Sequence, residues 1–129
     1  MRGRRRRAIT LGAKISNIVS GLKRRGASGS QLLHAREVLN GWWRNFGVCY
    51  LCYGKVDLAE IGLDHVQPLS RSGTHEYANL RPCHMRCNQI KGEFTLDEYR
   101  YLFSLNSPEY AKILSRRLYA SGNMYRRHR

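Results

Sequence analysis

The chain has 129 residues, four cysteines, a formal net charge of +14 at pH 7 and a sequence pI near 10.3. This length fits one small domain, and no apolar run approaches the ~20 residues that a bilayer-spanning helix requires. The charge predicts a polyanionic partner, with nucleic acid first and an anionic membrane surface second. No N-terminal apolar segment resembles a secretory signal, so we expect reduced cysteines and a soluble, cytoplasmic protein.

The N-terminal stretch is strongly basic. Its first 36 residues contain no Asp or Glu, and Arg4, Arg5, Arg6 and Arg7 follow one another directly. Apolar residues then recur at spacings of three and four, which predicts an amphipathic helix from about Ile9 to Arg24. We interpret residues 1–27 as an arm that contacts DNA phosphates. A solvated tail with a docking helix and an organellar transit peptide are the alternatives.

A second helix is predicted after the hinge at residues 26–30. Ser28 and Gln31 have the spacing of a capping box. The helix carries an apolar stripe made of Leu32, Ala35, Leu39, Trp42 and Phe46. We expect this stripe to cover the small core of the following segment, and Trp43, off the stripe, to be the exposed aromatic residue.

The cysteines predict a structural zinc site, which needs four thiolate or imidazole ligands. Cys49 and Cys52 supply two ligands from one turn, and Cys87 supplies a third from a later segment. The fourth is His84 or Cys83. His84 lies on the same face of a predicted helix as Cys87 and keeps the two-residue spacing, so we expect His84, with Cys83 as the alternative.

Two predicted strands and a helix lie between and around these ligands. Residues 63–69 form an alternating run that predicts a strand ending at Pro68 and presents Asp64 beside His65. Residues 79–82 predict a second short strand, and a helix follows from about His84. The sequence therefore predicts a β-β-α unit.

The residues of this unit suit phosphodiester hydrolysis. A neutral His65 can act as general base, while Asp64 and the side-chain oxygen of Asn88 suit a hard ion such as Mg²⁺ or Mn²⁺. Acids are few, so one catalytic ion fits better than two. We expect Asn79 to hydrogen-bond the loop after His65, and Lys91 to face the scissile phosphate.

The combined pattern resembles the zinc-containing HNH endonucleases, which have the ββα-metal fold. The matching motifs are Cys49-x2-Cys52, Asp64-His65-x2-Pro68, Asn79-Leu80 and Cys87-Asn88-x2-Lys91-Gly92. The resemblance implies that His65 is the general base, that Asp64 and Asn88 hold the metal, that Asn79 orients the site, and that cleavage leaves 5′-phosphate and 3′-hydroxyl ends. Two positions depart from the usual pattern: Asn88 replaces a frequent His, and His84 replaces the usual third zinc cysteine.

Helices are also predicted after the motif. Thr95 and Glu98 form a second capping box that begins one helix. Another helix is predicted from Ser107 to near Gly122. We divide the chain into an arm at 1–27 and a nuclease domain at 28–129, with its motif core at 49–92, helical support at 94–121 and a basic tail at 122–129.

The sequence thus predicts an α+β DNA endonuclease whose zinc-stapled ββα core is flanked by N- and C-terminal helices. Its expected partner is double-stranded DNA rather than a membrane, and a homodimer or a packaging or other protein partner is possible. One active site cuts one strand, so a double-strand break requires a dimer, a tethered partner or two successive nicks. The expected DNA contacts are Arg4, Arg5, Arg6, Arg7, Arg81, Arg86 and Lys91. The rival hypotheses are a non-catalytic zinc-knuckle nucleic-acid binding or packaging-associated protein, and an RNA-directed or ribosome-associated protein.

Overall fold

The computed structural model describes residues 8–105. Its elements are α1 (Leu11–Arg24), α2 (Gly29–Asn45), β1 (Ile61–His65), β2 (Leu80–His84), α3 (Met85–Lys91) and α4 (Leu96–Leu105). The arginine run at 4–7, the helix predicted from Ser107 and the basic tail lie outside the described residues. Within the described part, no helix is both long enough and apolar enough to cross a bilayer.

The helix starts follow local sequence. Thr10 caps α1 by accepting a hydrogen bond from the backbone N–H of Ala13 at 3.0 Å. Ser28 and Gln31 form the predicted capping box at the start of α2, each side chain accepting from the other residue's backbone N–H. Thr95 and Glu98 do the same for α4. These caps satisfy N–H groups that have no partner inside a helix.

One hydrophobic core joins the N-terminal helices to the hairpin. Its buried members include Ile15, Val19 and Leu22 of α1 and Ala35, Leu39 and Trp42 of α2, together with Ile61, Leu63, Leu80 and Cys83 of the two strands. The predicted boundary at residue 27 therefore does not separate α1 from this core, although the division into arm and domain stays a prediction.

The end of α2 differs from the predicted stripe. The helix ends at Asn45, so Phe46 lies beyond its last turn and is 72% exposed. Trp43 is half-buried and packs against the core. Phe46 is therefore the exposed aromatic residue here, because the helical periodicity that placed it inside stops one residue earlier.

The two strands form an antiparallel hairpin in which Asp64 pairs with Arg81 and His65 with Leu80. Both strands are displaced from the predicted 63–69 and 79–82. β1 ends at His65. The N–H of the next residue, Val66, still donates to the backbone carbonyl of Asn79 at 2.9 Å in the same register, but the N–H of Gln67 donates to the side chain of Asn79 and not to a strand backbone. Pro82 lies inside β2, where it donates no N–H to the ladder.

α3 packs against both strands and completes a ββα unit. It begins directly after β2, at Met85. Gly62 of β1 permits this close approach, since a Cβ atom there would lie 3.0 Å from the Cα of Met85. The predicted α+β class, with a ββα core between flanking helices, is confirmed for the described residues.

Candidate metal centre and active site

A tight turn at residues 49–54 builds the first half of the metal centre. The N–H of Cys49 donates to the carbonyl of Gly54 and that of Tyr53 to the carbonyl of Cys49, each at 2.8 Å. Two further backbone N–H groups, of Leu51 and Gly54, lie 3.4 Å from the Sγ atoms of Cys49 and Cys52. N–H groups aimed at sulfur favour thiolates, the form in which cysteine binds zinc.

The second half comes from the junction of β2 and α3. His84 precedes the helix and Cys87 lies in its first turn. The ligand atoms of Cys49, Cys52, His84 and Cys87 all lie within 4.8 Å of one another. This arrangement has the donor set and the closeness of a tetrahedral structural zinc site, so these residues could bind zinc.

The ring of His84 is set for metal binding through one nitrogen. Its Nε2 lies 2.9 Å from the backbone carbonyl of Lys55, an acceptor, so Nε2 carries the hydrogen. Its Nδ1 lies 3.3 Å from Cys52 Sγ and 3.7 Å from Cys87 Sγ. Such a carbonyl contact commonly fixes the tautomer of a zinc-bound histidine.

Cys83 lies apart from this cluster. Its side chain has no exposed surface and belongs to the hydrophobic core. Burial raises the pKa of the Cys83 thiol, which keeps it protonated. Of the two predicted candidates for the fourth ligand, the structure brings His84 rather than Cys83 to the other three.

The end of β1 carries the second group of polar residues. The Asp64 carboxylate is buried, and its Oδ2 accepts a hydrogen bond from the Tyr50 hydroxyl. The same Oδ2 lies 3.1 Å from the Nζ of Lys91. Burial raises the pKa of Asp64, while both partners act in the opposite direction. Both contacts use one oxygen of the carboxylate.

Lys91 differs from the prediction that it faces the scissile phosphate. Its side chain is 0% exposed, and Nζ also donates to the His65 backbone carbonyl at 3.2 Å. A lysine enclosed in this way can contact DNA only if its bonds to β1 break. The helical spacing placed Lys91 on the correct face of α3, but that face is turned toward the strand rather than toward solvent.

His65 is buried at the end of β1, next to His75 of the loop between the strands. Its Nε2 lies 3.0 Å from the Nδ1 of His75, whose Nε2 lies 3.2 Å from the backbone carbonyl of Arg25. Burial lowers the pKa of His65 to about 4, helped by the charges of His75, Arg25 and Lys91. The ring is therefore neutral at pH 7, the form that a general base needs.

Asn79 closes the loop between the strands. Its Oδ1 accepts from the N–H of Gln67 at 2.8 Å, and its Nδ2 donates to the carbonyls of Gln67 and Thr74 at 3.0 and 2.8 Å. Gly73 is needed where this loop approaches itself, since a Cβ atom there would lie 1.8 Å from the Gln67 oxygen. Asn79 thus makes the contacts to the loop after His65 that were predicted for it.

The remaining predicted residues lie near Asp64. Asn88 is half-buried on α3 and precedes Lys91 by three residues, so it lies on the helix face that meets Asp64. Arg81 is exposed and pairs with Asp64 in the strand register, while Arg86 is exposed in the first turn of α3. These arginines remain predicted DNA contacts, and the arginines at 4–7 lie outside the described residues.

A cleft of about 840 Å³ lies between α2 and β2. Its walls include the exposed Phe46 and Tyr77, the Asp64 partner Tyr50, and Arg81. The cleft therefore reaches the strand position opposite Asp64, with aromatic faces and one cation in its lining.

Two residues of this site were missed by sequence reasoning. Tyr50 lies inside the Cys49-x2-Cys52 turn, and its backbone N–H donates to Pro82 at 3.4 Å, which brings the turn alongside β2 and its hydroxyl to Asp64. His75 reaches His65 from the loop between the strands. A polar aromatic residue inside the Cys49-x2-Cys52 turn is a sequence feature that could have indicated a role for Tyr50, whereas no local pattern distinguishes His75.

Comparison with known families agrees with this geometry. Residues 49–94 match the family model described as HNH endonuclease. This part of the chain is similar to an HNH endonuclease domain, and its cysteine cluster fits a zinc-binding member. No curated protein matches the chain. The match supports a nuclease or nucleic-acid-related function and the binding of DNA.

Proposed function

We propose that the chain is a metal-dependent DNA endonuclease acting through residues 28–129. The observation that carries the proposal is a buried, neutral His65 adjacent to the Asp64 carboxylate in an HNH domain. Buried titratable groups with shifted pKa values concentrate at active sites. The zinc-type cluster does not include His65 or Asp64, so a structural role for that cluster does not explain why these two residues lie together.

In the proposed reaction His65 accepts a proton from water as the water oxygen attacks phosphorus. A new P–O bond forms, the bond to the 3′ oxygen breaks, and that oxygen takes up a proton from solvent. Asp64 and Asn88 would hold a hard divalent ion, which would supply the charge neutralisation that this step needs. Carboxylate and amide oxygens suit such an ion.

The proposal is tested by incubating purified protein with supercoiled plasmid in Mg²⁺ or Mn²⁺ and, separately, in EDTA at a level that leaves protein zinc bound. We expect relaxed circles first, since one active site cuts one strand. Asn88→Ala should need more Mg²⁺ for half-maximal cutting. Arg86→Ala, on the same helix but exposed, is the matched control and should keep the wild-type metal dependence.

A non-catalytic zinc-knuckle DNA-binding protein is the second candidate. It is favoured by the contacts of Asp64, which Tyr50 and Lys91 already satisfy as they would a purely structural carboxylate. This candidate predicts DNA binding by gel shift with no cleavage in any divalent metal. Plasmid relaxation that Asp64→Ala removes would exclude it.

We propose that the basic arm contributes affinity without sequence preference. Deleting Met1–Arg7 removes five arginines, so fewer counterions should be released on binding. The slope of log affinity against log salt should become shallower for every DNA sequence tested. An unchanged slope, measured by fluorescence anisotropy, would make the arm a tail that does not touch DNA.

A further inference from the structure

His75 makes the contact to His65 that the proposed reaction leaves unexplained. The three groups form a chain: the Arg25 carbonyl lies 3.2 Å from His75 Nε2, and His75 Nδ1 lies 3.0 Å from His65 Nε2. The two rings meet edge to face, with centroids 5.1 Å apart. Both nitrogens of His75 are therefore engaged.

The direction of each hydrogen bond in this series follows from the Arg25 carbonyl at one end. A backbone carbonyl only accepts, so His75 Nε2 carries a hydrogen. A neutral imidazole has one N–H, which leaves His75 Nδ1 as an acceptor, and His65 Nε2 must then be the donor. His65 has its hydrogen on Nε2, and its Nδ1 holds the lone pair.

We propose that His75 is a positioning residue that, held by the Arg25 carbonyl, fixes His65 in the Nε2–H tautomer and so makes Nδ1 the nitrogen that accepts the proton from water. This inference rests on the proposed nuclease function. The assignment follows for a neutral imidazole at residue 75, which has a single N–H.

The loop around His75 is built to hold the ring in place. On one side, the carbonyl of Thr74 accepts from Asn79 Nδ2 at 2.8 Å. On the other side, the Glu76 carboxylate accepts from Gln31 Nε2 at 2.9 Å. Gln31 itself belongs to the capping box of α2. The residues before and after His75 are thus tied to the hairpin and to α2, which limits the positions the ring can adopt.

Two substitutions at residue 75 distinguish the loss of the hydrogen-bond acceptor from the loss of the ring. In His75→Asn the side-chain oxygen can take the place of Nδ1, but the ring is lost. In His75→Phe the ring remains, but no acceptor remains. A role in packing alone predicts that the phenylalanine variant is normal and the asparagine variant impaired, whereas the tautomer role predicts the reverse.

The experiment reads the tautomer and the rate separately on zinc-loaded protein at pH 8. Long-range ¹⁵N–¹H NMR distinguishes the two imidazole tautomers, and a His65→Gln spectrum assigns the His65 signals. Plasmid cleavage in Mg²⁺ gives kcat and KM. Wild type and His75→Asn should show His65 as Nε2–H. His75→Phe should shift it toward Nδ1–H and lower kcat about tenfold or more, with KM changed less than about twofold.

Two results would overturn the assignment: a His75→Phe protein that keeps both the tautomer and kcat, or a His75→Asn protein that loses both. His75→Leu, also without an acceptor, replaces the phenylalanine variant if that protein does not fold. If wild type fails to cut DNA, the nuclease proposal fails, and the NMR comparison still decides whether His75 controls the His65 tautomer.

Discussion

The two polar sites of the domain are built in opposite ways. At the zinc-type cluster, three sulfurs and one imidazole nitrogen face one another at short range. Close thiolates repel, so this geometry depends on a cation. At the end of β1 the protein supplies the partners itself: Lys91 and Tyr50 hold Asp64, and His75 holds His65. We therefore expect the first site to need a bound ion for folding, and the second to keep its arrangement through the protein's own contacts.

Removing a ligand from the cluster should have the largest effect on the fold. We expect His84→Ala to lose bound zinc and more than about 3 kcal/mol of unfolding free energy, because binding energy at a structural zinc is also folding energy. Cys83→Ala, one residue earlier, should keep its zinc and lose about 1–2 kcal/mol through packing. Zinc content and thermal melting measure both. Zinc lost from Cys83→Ala and kept by His84→Ala would reverse the ligand assignment.

Removing the base should separate chemistry from fold. We expect His65→Ala to cut plasmid about 10²–10⁴-fold more slowly while keeping its zinc and its DNA affinity. The lost side chain is buried, so the free energy of unfolding should fall, by about 1–3 kcal/mol at most. Single-turnover rates, gel shifts and melting curves test the three parts. A variant that cuts at the wild-type rate would remove His65 from the mechanism.

Breaking the Lys91–Asp64 pair tests whether the second site is held together by the protein. Lys91→Met leaves a buried carboxylate with less compensation, so we expect a loss of about 2–4 kcal/mol at pH 7. The loss should shrink in acid, where Asp64 becomes protonated. Arg86→Met, exposed on the same helix, should change stability by less than about 0.5 kcal/mol. Equal effects of the two substitutions in urea unfolding would contradict a structural role for the pair.

The smallest expected effect is a pH dependence of stability. The folded pKa of His65 is about 4, below the unfolded value near 6.5. As pH falls between these values, the unfolded chain gains a proton that the folded ring does not, so the folded state loses stability. We expect a loss on the order of 1–3 kcal/mol across this window relative to His65→Gln. If urea unfolding shows the same change of unfolding free energy with pH for wild type and His65→Gln, then His65 contributes nothing to the pH dependence.

The features that sequence reasoning predicted correctly depend on local spacing. The capping boxes at Ser28 and Thr95 involve residues three apart, and the fourth zinc-type ligand, His84, lies three residues before Cys87 at the junction of β2 and α3. The HNH motif adds a spacing specific enough to predict the order of the ββα unit. Each of these interactions forms within a turn or two of chain, where side-chain direction follows from backbone geometry.

The features that it missed depend on contacts between distant segments. His65 contacts His75, and the ring of His75 reaches the Arg25 carbonyl because α1 packs on the same core as the hairpin. Lys91 is buried because the face of α3 that carries it packs against β1. Helical periodicity identifies such a face but does not show which element covers it. The strand ends shifted for a related reason: the side chain of Asn79, and not the backbone of a partner strand, bonds Gln67, and β1 ends three residues before Pro68.

Helix α3 is only seven residues long, yet it serves both sites. Cys87 belongs to the zinc-type cluster, and the neighbouring Asn88 is the proposed ligand of the catalytic ion, so a rigid helix cannot move one without the other. Its height above β1 is limited by Gly62, where any side chain would press on Met85. A single methyl group at residue 62 would therefore push α3 away from β1. It would disturb the zinc-type cluster and the proposed catalytic site at once without replacing a residue of either.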